Sequence, residues 1–325
     1  MLLPALRYGV RKFLESIGQR RVVIGISGGI DSAVNAALYR SILPPENVLL
    51  VNTPTRFNSE LTRDLAEKLA GNLRCAYHII PIGHFIDETV GSLEALPLMD
   101  GDIHLTGFMK ENMQARDRSS RILAALSAAF GGIFTCNANK TEMTIGYGTL
   151  YGDLAGALAA TADLWKYQVY RLGRDLNRWY GREVIPEGIF TVKPSAELSA
   201  AQDVTKGLGD PLIYEYHDYL LKSFVEPWQR NTPEEILNWY REGTLEDHIG
   251  CTVKVNTLFP TAADFVRDLE KWWHLFSGFA VAKRIQAPPL IAISRRPFGY
   301  DLRESQVAPY YTDRYLKMKE EVLGK

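Results

Sequence analysis

The chain contains the run Val22-Val23-Ile24-Gly25-Ile26-Ser27-Gly28-Gly29-Ile30-Asp31-Ser32, in which an apolar stretch leads directly into a glycine-rich turn. The mainly β-branched residues at its start predict a buried parallel strand. Gly28 and Gly29 permit torsions and close approaches that a Cβ would forbid, and the helix expected from about Asp31 points its free N–H groups at the turn. A strand, an anion-binding loop and a helix are therefore predicted in succession.

The loop differs from two common phosphate-binding patterns. It lacks the Gly-Lys-Ser/Thr ending of a P-loop and the Gly-x-Gly-x-x-Gly of a dinucleotide fingerprint. Ser27 and Ser32 supply hydroxyls that can donate to phosphate oxygens, and Asp31 can reach a Mg²⁺ ion that offsets the phosphate charge. The alternative is an ordinary strand–turn–helix connection in which serine and aspartate act only as capping residues.

Composition and charge limit the classes of protein to consider. The 325 residues are 46% hydrophobic and carry a net charge of −1, which argues against nonspecific binding to nucleic acid or membranes. Cys75, Cys136 and Cys251 are too far apart for a disulfide framework or a Cys-x-x-Cys site. Arg7 and Arg11 interrupt the N-terminus before a signal-peptide core, and no apolar stretch reaches the roughly 18 residues of a membrane span. We therefore expect a cytoplasmic protein.

Strand-like and helix-like patterns alternate along the first half of the chain. Apolar runs predict further strands at 48–51, 77–80 and 133–136. Helical spacing groups the apolar residues of two helices, namely Leu6, Val10, Phe13 and Ile17 in the first and Leu61, Leu65 and Leu69 in the second. A longer helix from Phe108 to Phe130 is expected to follow a loop near 96–107 and to end at Gly131.

This alternation predicts an α/β fold with a doubly wound parallel sheet. Ligands of such sheets bind beyond the carboxyl ends of the strands, where Ser27, Thr53 and Asn137 lie. Beyond about Gly181 the strand patterns give way to helical segments such as 214–224 and 262–276. The chain is therefore divided into a core of residues 1–205 and a helical C-terminal extension of residues 206–325 that packs on it.

Several motifs, in order, carry a resemblance to a known family. They read Asn-Met-Gln-Ala-Arg-Asp-Arg at 112–118, Asn-Lys-Thr-Glu-Met-Thr-Ile-Gly-Tyr-Gly-Thr-Leu-Tyr-Gly-Asp at 139–153, Lys-Tyr-Gln-Val-Tyr-Arg-Leu at 166–172, Pro-Ser-Ala-Glu-Leu at 194–198 and Lys-Arg-Ile-Gln-Ala-Pro-Pro at 283–289. Loop 27–32 resembles the signature of the PP-loop ATP pyrophosphatases, and the later motifs closely resemble NAD synthetases within that superfamily. The implied fold is that of the adenine nucleotide alpha hydrolases.

The resemblance implies a two-step amidation. The nicotinate carboxylate of deamido-NAD attacks the α-phosphate of ATP and releases pyrophosphate, and ammonia then displaces AMP to give NAD. Both reactants are anionic, so their approach needs cationic screening. The implied catalytic residues are Asp31, Glu142 and Lys166, with Asp31 and Glu142 holding Mg²⁺.

The resemblance also implies binding residues for the two substrates. The ATP-binding set is Ser27, Gly28, Gly29, Asp31, Ser32, Thr53, Arg56, Lys166 and Ser195. The set for deamido-NAD is Arg116, Asn139, Lys140, Tyr147 and Asp153. In these sets Ser195 and Lys166 bind phosphates, Tyr147 stacks on the pyridine ring, and Arg116 pairs with an anionic group.

Each assignment has a structural alternative. Lys166 beside Asp163 could be a solvated surface charge, and Tyr147 could simply pack a turn. Glu142 three residues after Asn139 also fits a capping box, a role compatible with metal binding. Arg116 and Arg118 could pair on a helix surface with Glu111 and Asp117.

Three positions depart from the family's usual pattern, and one of them is Asp117, which replaces a usually apolar residue. The sequence has Asn137-Ala138-Asn139-Lys140 where the family has Thr-Gly-Asn-Lys, so the hydroxyl contact that the family's threonine makes is in question here. The Asp-Glu pair common after Pro-Ser-Ala-Glu-Leu is reduced to Asp203-Val204, so one acidic ligand is missing or displaced.

The C-terminal motif at 283–289, followed by Pro297-Phe298-Gly299, resembles the synthetase portion of glutamine-dependent NAD synthetases. Those carry an N-terminal glutaminase domain, whereas only some twenty residues precede the first predicted strand here. We therefore expect ammonia to arrive free or from a separate amidase subunit. The resemblance also implies a homodimer, with the first helix and the helix at 108–130 as contact surface.

Two other functions stay open at this point. One is a different PP-loop amidating or thiolating enzyme, although the cysteine pairs or basic surface of tRNA thiolases are not visible in the sequence. The other is a non-catalytic module that binds an adenine nucleotide.

Overall fold

The computed structural model describes residues 2–98, 101–294 and 311–324, so the Pro297-Phe298-Gly299 motif lies outside the described residues. Within them one sheet is formed by β1 (Val22–Gly25), β2 (Val48–Asn52), β3 (Ala76–Ile79) and β4 (Ile133–Phe134). The strands are parallel and lie in the order β3-β2-β1-β4. The predicted parallel α/β sheet is confirmed, and its order reverses between β1 and β4, where such sheets bind ligands.

Helices surround this sheet and, in the described residues, are the main secondary structure after it. Those of the first part are α1 (Leu2–Ser16), α2 (Ile30–Arg40), α3 (Glu60–Leu73), α4 (Gly83–Glu94), α5 (Gly107–Arg116), α6 (Ala124–Phe130), α7 (Lys140–Ile145), α8 (Lys166–Tyr180) and α9 (Glu187–Thr191). Those of the second part are α10 (Tyr214–Val225), α11 (Pro233–Glu242), α12 (Leu245–Ile249), α13 (Val255–Leu258), α14 (Ala262–Ser277), α15 (Ala280–Gln286) and α16 (Asp313–Leu323).

The two faces of the sheet contact different helices because successive strand residues point to opposite sides. Val22 and Ile24 of β1 pack into a core with α1, α2, α3 and α8. Val23 packs on the other face against Leu123, in a π-helical stretch that joins α5 to α6. The helix predicted over 108–130 is therefore one continuous helical run, and it ends at Gly131 with φ of 73°.

Some helical faces differ from the prediction. Ile17 is 42% exposed because α1 ends at Ser16, and the buried face of α1 is Leu3, Leu6, Val10 and Leu14. Leu61 is 47% exposed, so α3 buries Leu65 and Leu69 but not Leu61. Helix α4 lies where no element was predicted. Its only buried residue is Ile86, so this helix contributes little to the core.

The second part of the chain has a core of its own. Aromatic residues of α10 and α14, among them Tyr216, Phe224 and Trp272, form a buried cluster that also includes Tyr315 of α16. Ile145 and Trp165 of the first part belong to the same cluster, so the helical region packs directly on the sheet-containing part. The boundary at residue 205 stays a prediction. In the described residues, no helix is long and apolar enough to cross a membrane.

Candidate active site

The glycine-rich loop lies between the end of β1 and the start of α2. Gly28 has φ of 86°, and a Cβ at this position would lie 2.1 Å from the carbonyl oxygen of Thr62 in α3. Glycine is therefore required both by the torsion and by the close approach of α3. The N-cap residue of α2 is Gly29, and no side chain caps this end. The alternative of an ordinary serine or aspartate cap is therefore wrong, and the first turn of α2 keeps its N–H groups directed at the loop.

Asp31, Glu142 and Lys166 meet at this loop from three different elements. Lys166 Nζ lies 2.5 Å from Asp31 Oδ2 and 3.6 Å from Glu142 Oε1. The Lys166 side chain is only 3% exposed, so the alternative of a solvated surface charge is wrong. Burial alone would lower the pKa of Lys166, but the neighbouring carboxylates, chiefly Asp31 and Glu142, outweigh burial and raise it.

Glu142 also forms the capping box that the sequence suggested. Asn139 N donates to Glu142 Oε2 at 3.1 Å, and Glu142 N donates to Asn139 Oδ1 at 3.0 Å. Asn139 Nδ2 donates to Asp31 Oδ1 at 2.9 Å, so the cap of α7 also orients Asp31. Burial, and next the charge of Asp31, raise the pKa of Glu142 to about 8.

These two carboxylates fit a magnesium ion. Both carboxylates lie within ion-pair distance of the same lysine, Lys166, so the cluster has more acidic than basic groups. No cluster of three or more His, Cys, Asp or Glu suited to a metal occurs in the described ranges. Mg²⁺ is commonly held by one or two carboxylates together with substrate phosphates and water. Asp31 and Glu142 match that pattern, and the metal assignment itself stays a prediction.

A first cleft, with a volume of about 120 Å³, opens on one side of the cluster. Lys166, Ser195 and Tyr147 line it, as does Asp210. Ser195 Oγ donates to the carbonyl oxygen of Gln202 at 2.7 Å, and Tyr147 Oη donates to Asp210 Oδ1 at 3.3 Å. The Tyr147 ring therefore forms part of the cleft wall.

Asp210 is a residue that sequence reasoning missed. The motif comparison pointed to Asp203, whose side chain pairs with Lys206 at 3.0 Å and has no place in either cleft. Asp210 lies seven positions further on and faces the first cleft. Asp210 therefore places at the first cleft a carboxylate that the motif comparison at Asp203-Val204 did not identify.

A second cleft, of about 220 Å³, opens on the other side at the ends of β1 and β2. Thr53, Asn137 and Arg118 line it. Arg118 Nε donates to the carbonyl oxygen of Thr53 at 3.1 Å, and burial lowers the pKa of Arg118 to about 10. The alternative of a surface pair between Arg118 and Asp117 is therefore wrong, since Asp117 pairs with Arg121.

The two clefts meet at a shared wall. The residues that line both are Ser27, Asp31, Ser32, Glu142, Asp153 and Ala196. Asp153 Oδ1 accepts a hydrogen bond from Thr149 N at 2.6 Å, and burial raises its pKa. Predicted catalytic carboxylates and loop serines thus lie where the clefts join.

Several predicted ligands line neither cleft, namely Gly28, Arg56, Arg116, Asn139 and Lys140. Arg56 borders a third cavity together with Phe57, and Arg116 Nε donates to the carbonyl oxygen of Leu150 at 3.1 Å. Lys140 is fully buried and lies 2.9 Å from Asp163 and 3.0 Å from Glu226. Their binding roles stay predictions.

The sheet is doubly wound and parallel, its glycine-rich loop lies at the switch point, and the carboxylate–lysine cluster lies between two clefts. These features together define the class of α/β proteins that bind anionic ligands at the carboxyl edge of the sheet. The sequence narrows this class. The family model described as NAD synthase matches residues 2–249, and the chain belongs to that family.

Curated relatives include both glutamine-dependent and NH(3)-dependent NAD(+) synthetases. The chain is 38% identical over 235 residues to the glutamine-dependent NAD(+) synthetase of Thermotoga maritima, covering 72% of this chain and 39% of the relative. It is 35% identical over 227 residues to the NH(3)-dependent NAD(+) synthetase of Chlorobaculum tepidum, covering 70% and 73%. The chain spans 39 to 48% of the length of the glutamine-dependent relatives from Thermotoga, Synechocystis and Xylella.

Solved structures agree on the fold. NMN synthetase from Francisella tularensis superposes with a TM-score of 0.58 at 25% identity, covering 76% of this chain and 94% of that one. A glutamine-dependent NAD(+) synthetase from Cytophaga hutchinsonii superposes with a TM-score of 0.69 at 15% identity, covering 99% and 55%. The latter supports the fold alone, including the helical C-terminal region.

Proposed function

We propose that this chain catalyses the ATP-dependent amidation of deamido-NAD to NAD in the cytoplasm, with ammonia as the direct nitrogen donor. The observation that carries the proposal is the junction of the two clefts at Asp31 and Glu142, with Lys166 beside them. Family membership supports the same reaction.

A different part of the ATP molecule binds in each cleft. Adenosine occupies the second cleft near Thr53, and the β- and γ-phosphates occupy the first cleft between the loop serines and Ser195. The α-phosphate joins these two parts of ATP, so it falls at the wall that both clefts share. The carboxylate of deamido-NAD, with its pyridine ring on Tyr147, reaches the α-phosphate there.

The chemistry then follows in two balanced steps. A carboxylate oxygen forms a bond to the α-phosphorus while the bond from that phosphorus to pyrophosphate breaks. Ammonia attacks the carbonyl carbon and loses a proton, and AMP leaves with the oxygen that came from the carboxylate. Mg²⁺ held by Asp31 and Glu142 would neutralise charge on the phosphates.

Groups of the chain itself stabilise the negative charge that develops on the phosphates and on the leaving pyrophosphate. Lys166, kept protonated by its carboxylate neighbours, donates to the leaving pyrophosphate, while N–H groups at the start of α2 bind phosphate oxygens. The hydroxyls of Ser27 and Ser32 add neutral donors on the same side of the cleft.

The proposal extends to assembly and to the source of nitrogen. Ammonia arrives free or from a separate amidase subunit. The apolar face of α1 is buried within the chain, so it does not supply the expected dimer surface. On α5, Phe108 is 72% exposed and Met109 is 48% exposed. We assign the homodimer contact to that helix.

The direct test combines purified protein with ATP, Mg²⁺, ammonium and deamido-NAD. NAD, AMP and pyrophosphate should appear in equal amounts, and none should form without deamido-NAD. AMP formation only with a different acceptor would favour another PP-loop amidating enzyme, and ATP binding without turnover would favour a non-catalytic module. Nicotinate mononucleotide should be assayed in parallel, given the similarity to a protein named NMN synthetase.

A further inference from the structure

Glu197 is a buried carboxylate beside the first cleft that the proposed reaction does not use. Only 3% of the residue is exposed, and its φ is 45°. Residues other than glycine rarely adopt this left-handed conformation, and they keep it only where surrounding contacts hold it. The contacts of Glu197 therefore show which parts of the structure keep its backbone in this conformation.

The side chain of Glu197 contacts the start of α3. Its Oε1 accepts from Ser59 N at 3.1 Å, and its Oε2 accepts from Thr62 Oγ1 at 2.7 Å. Ser59 is the N-cap of α3, so the carboxylate lies at the positive end of that helix. The same first turn contacts the glycine-rich loop, because the Thr62 carbonyl lies against Gly28.

The backbone of Glu197 orients the residue predicted to bind phosphate. Glu197 N donates to Ser195 Oγ at 3.1 Å, and this hydroxyl donates to the Gln202 carbonyl oxygen. One residue thus links the segment 194–198, of which residues 194–197 line the first cleft, to α3 and through α3 to the glycine-rich loop, which also lines this cleft.

We propose that Glu197 is a positioning residue that holds segment 194–198 against α3 and so sets the width of the first cleft and the direction of the Ser195 hydroxyl. The two hydrogen bonds that the side chain accepts, from Ser59 N and Thr62 Oγ1, hold the residue in its left-handed backbone conformation. The inference rests on the proposed function only in naming the ligand as the phosphates of ATP. Loss of the link opens the segment, which weakens ATP binding more than it slows the chemical step.

The test compares Glu197→Ala with Glu197→Gln. The alanine variant loses both side-chain acceptors, so its KM for ATP should rise about tenfold or more while kcat changes less than threefold. Hydrogen exchange at the Ser59 amide and at the amides of 195–198 should accelerate by a similar factor. The glutamine variant keeps the shape and an acceptor for Ser59 N, so it should stay within about threefold of the original protein in both readouts.

Two further variants serve as controls. One tests the backbone strain at position 197, and the other tests the loss of a glutamate elsewhere. Glu197→Gly removes the cost of the left-handed torsion but also removes the carboxylate, so its KM should match that of the alanine variant. Glu187→Ala removes an exposed glutamate that pairs with Arg174 and lines neither cleft, and it should change nothing.

Two results would overturn the inference. One is an alanine variant with an unchanged KM for ATP and unchanged exchange. The other is a glutamine variant as impaired as alanine, which would mean that charge and not the hydrogen-bonded link matters, and this variant decides the question if alanine fails to fold. Hydrogen exchange needs no turnover, so it tests the link even if the original protein makes no NAD.

Discussion

Lys166 shows at the scale of a single residue why sequence spacing alone leaves two interpretations open. A lysine at the start of a helix beside an aspartate reads equally well as a surface ion pair. The fold turns its side chain inward to Asp31 and Glu142, which come from distant parts of the sequence. Only the packing of α2, α7 and α8 decides between the two.

The motifs predicted the loop serines, Asp31, Glu142 and Lys166 as a group, and the structure brings them together. Arg118, Glu197 and Asp210 were missed as site residues because each acts through tertiary contacts. Lys140 sits in a matched motif, yet its ammonium group points into a buried network with Asp163 and Glu226. A local motif does not encode the direction of a side chain.

The first prediction concerns the two carboxylates. Asp31→Asn and Glu142→Gln keep the shape of each side chain but remove a carboxylate that would hold Mg²⁺, so each variant should lose about 10²–10³-fold in turnover while staying folded. Higher Mg²⁺ should restore part of the loss, measured as NAD formation against Mg²⁺ concentration. Ser32→Ala removes one neutral donor among several and should be milder. An Asp31→Asn enzyme with a near-normal rate and an unchanged Mg²⁺ dependence would contradict the assignment.

At the scale of elements, strands were easier to predict than helical faces. The central strands are buried on both sides, so their apolar runs are unbroken. Helix α4 buries only Ile86 and was not predicted, although Ile86, Val90 and Leu93 follow a helical spacing. The predicted buried faces of α1 and α3 differ from the observed ones because the apolar residues of each helix fit more than one helical spacing. The last turn of α1 and the first of α3 lie at the surface.

Asp218 of α10 connects the helical C-terminal region to the helix that carries Lys166. It accepts hydrogen bonds from Thr141 Oγ1 and, at 3.0 Å, from Tyr167 N in the first turn of α8. Burial raises its pKa from 3.8 to about 6. The folded state thus binds this proton more tightly than the unfolded state, so the contribution of Asp218 to the free energy of unfolding is largest below its unfolded pKa and is lost as pH rises through about 6.

We therefore expect Asp218→Asn to gain stability relative to the original protein as pH rises from about 4 to above 7. The gain should approach about 3 kcal/mol, because the shift of the pKa is about two units. Urea unfolding at several pH values measures it. The exposed Asp247→Asn serves as the control. A difference between Asp218→Asn and the original protein that stays constant across this range would show that Asp218 is not the titrating group.

At the scale of the whole molecule, the cysteines bear on the nitrogen source. Burial raises the pKa of Cys75 to about 11 and of Cys136 to about 12, and it also raises that of Cys251. None of the three is a thiolate at neutral pH, which a glutaminase nucleophile would have to be. We expect ammonium to support NAD formation and glutamine not to, with rates rising toward alkaline pH as neutral ammonia increases. Equal rates with glutamine, in a preparation free of other amidases, would refute this expectation.

The homodimer is tested by replacing one exposed aromatic residue. Phe108→Glu places a charge on the α5 surface assigned to the contact, so light scattering should show a shift from dimer to monomer. Tyr8→Glu on α1 is the matched control, since Tyr8 is also an exposed aromatic at 65%. A stable and fully active monomer of the original protein would rule out the proposed assembly.

The central claim is that the deamido-NAD carboxylate attacks the α-phosphate of ATP where the two clefts join. Transfer of ¹⁸O from the labelled carboxylate, followed by mass spectrometry of the products, tests it most directly. The account predicts that each AMP formed carries one labelled oxygen and that pyrophosphate carries none. Label in inorganic phosphate, or NAD formed together with unlabelled AMP, would contradict attack at the α-phosphate by this carboxylate.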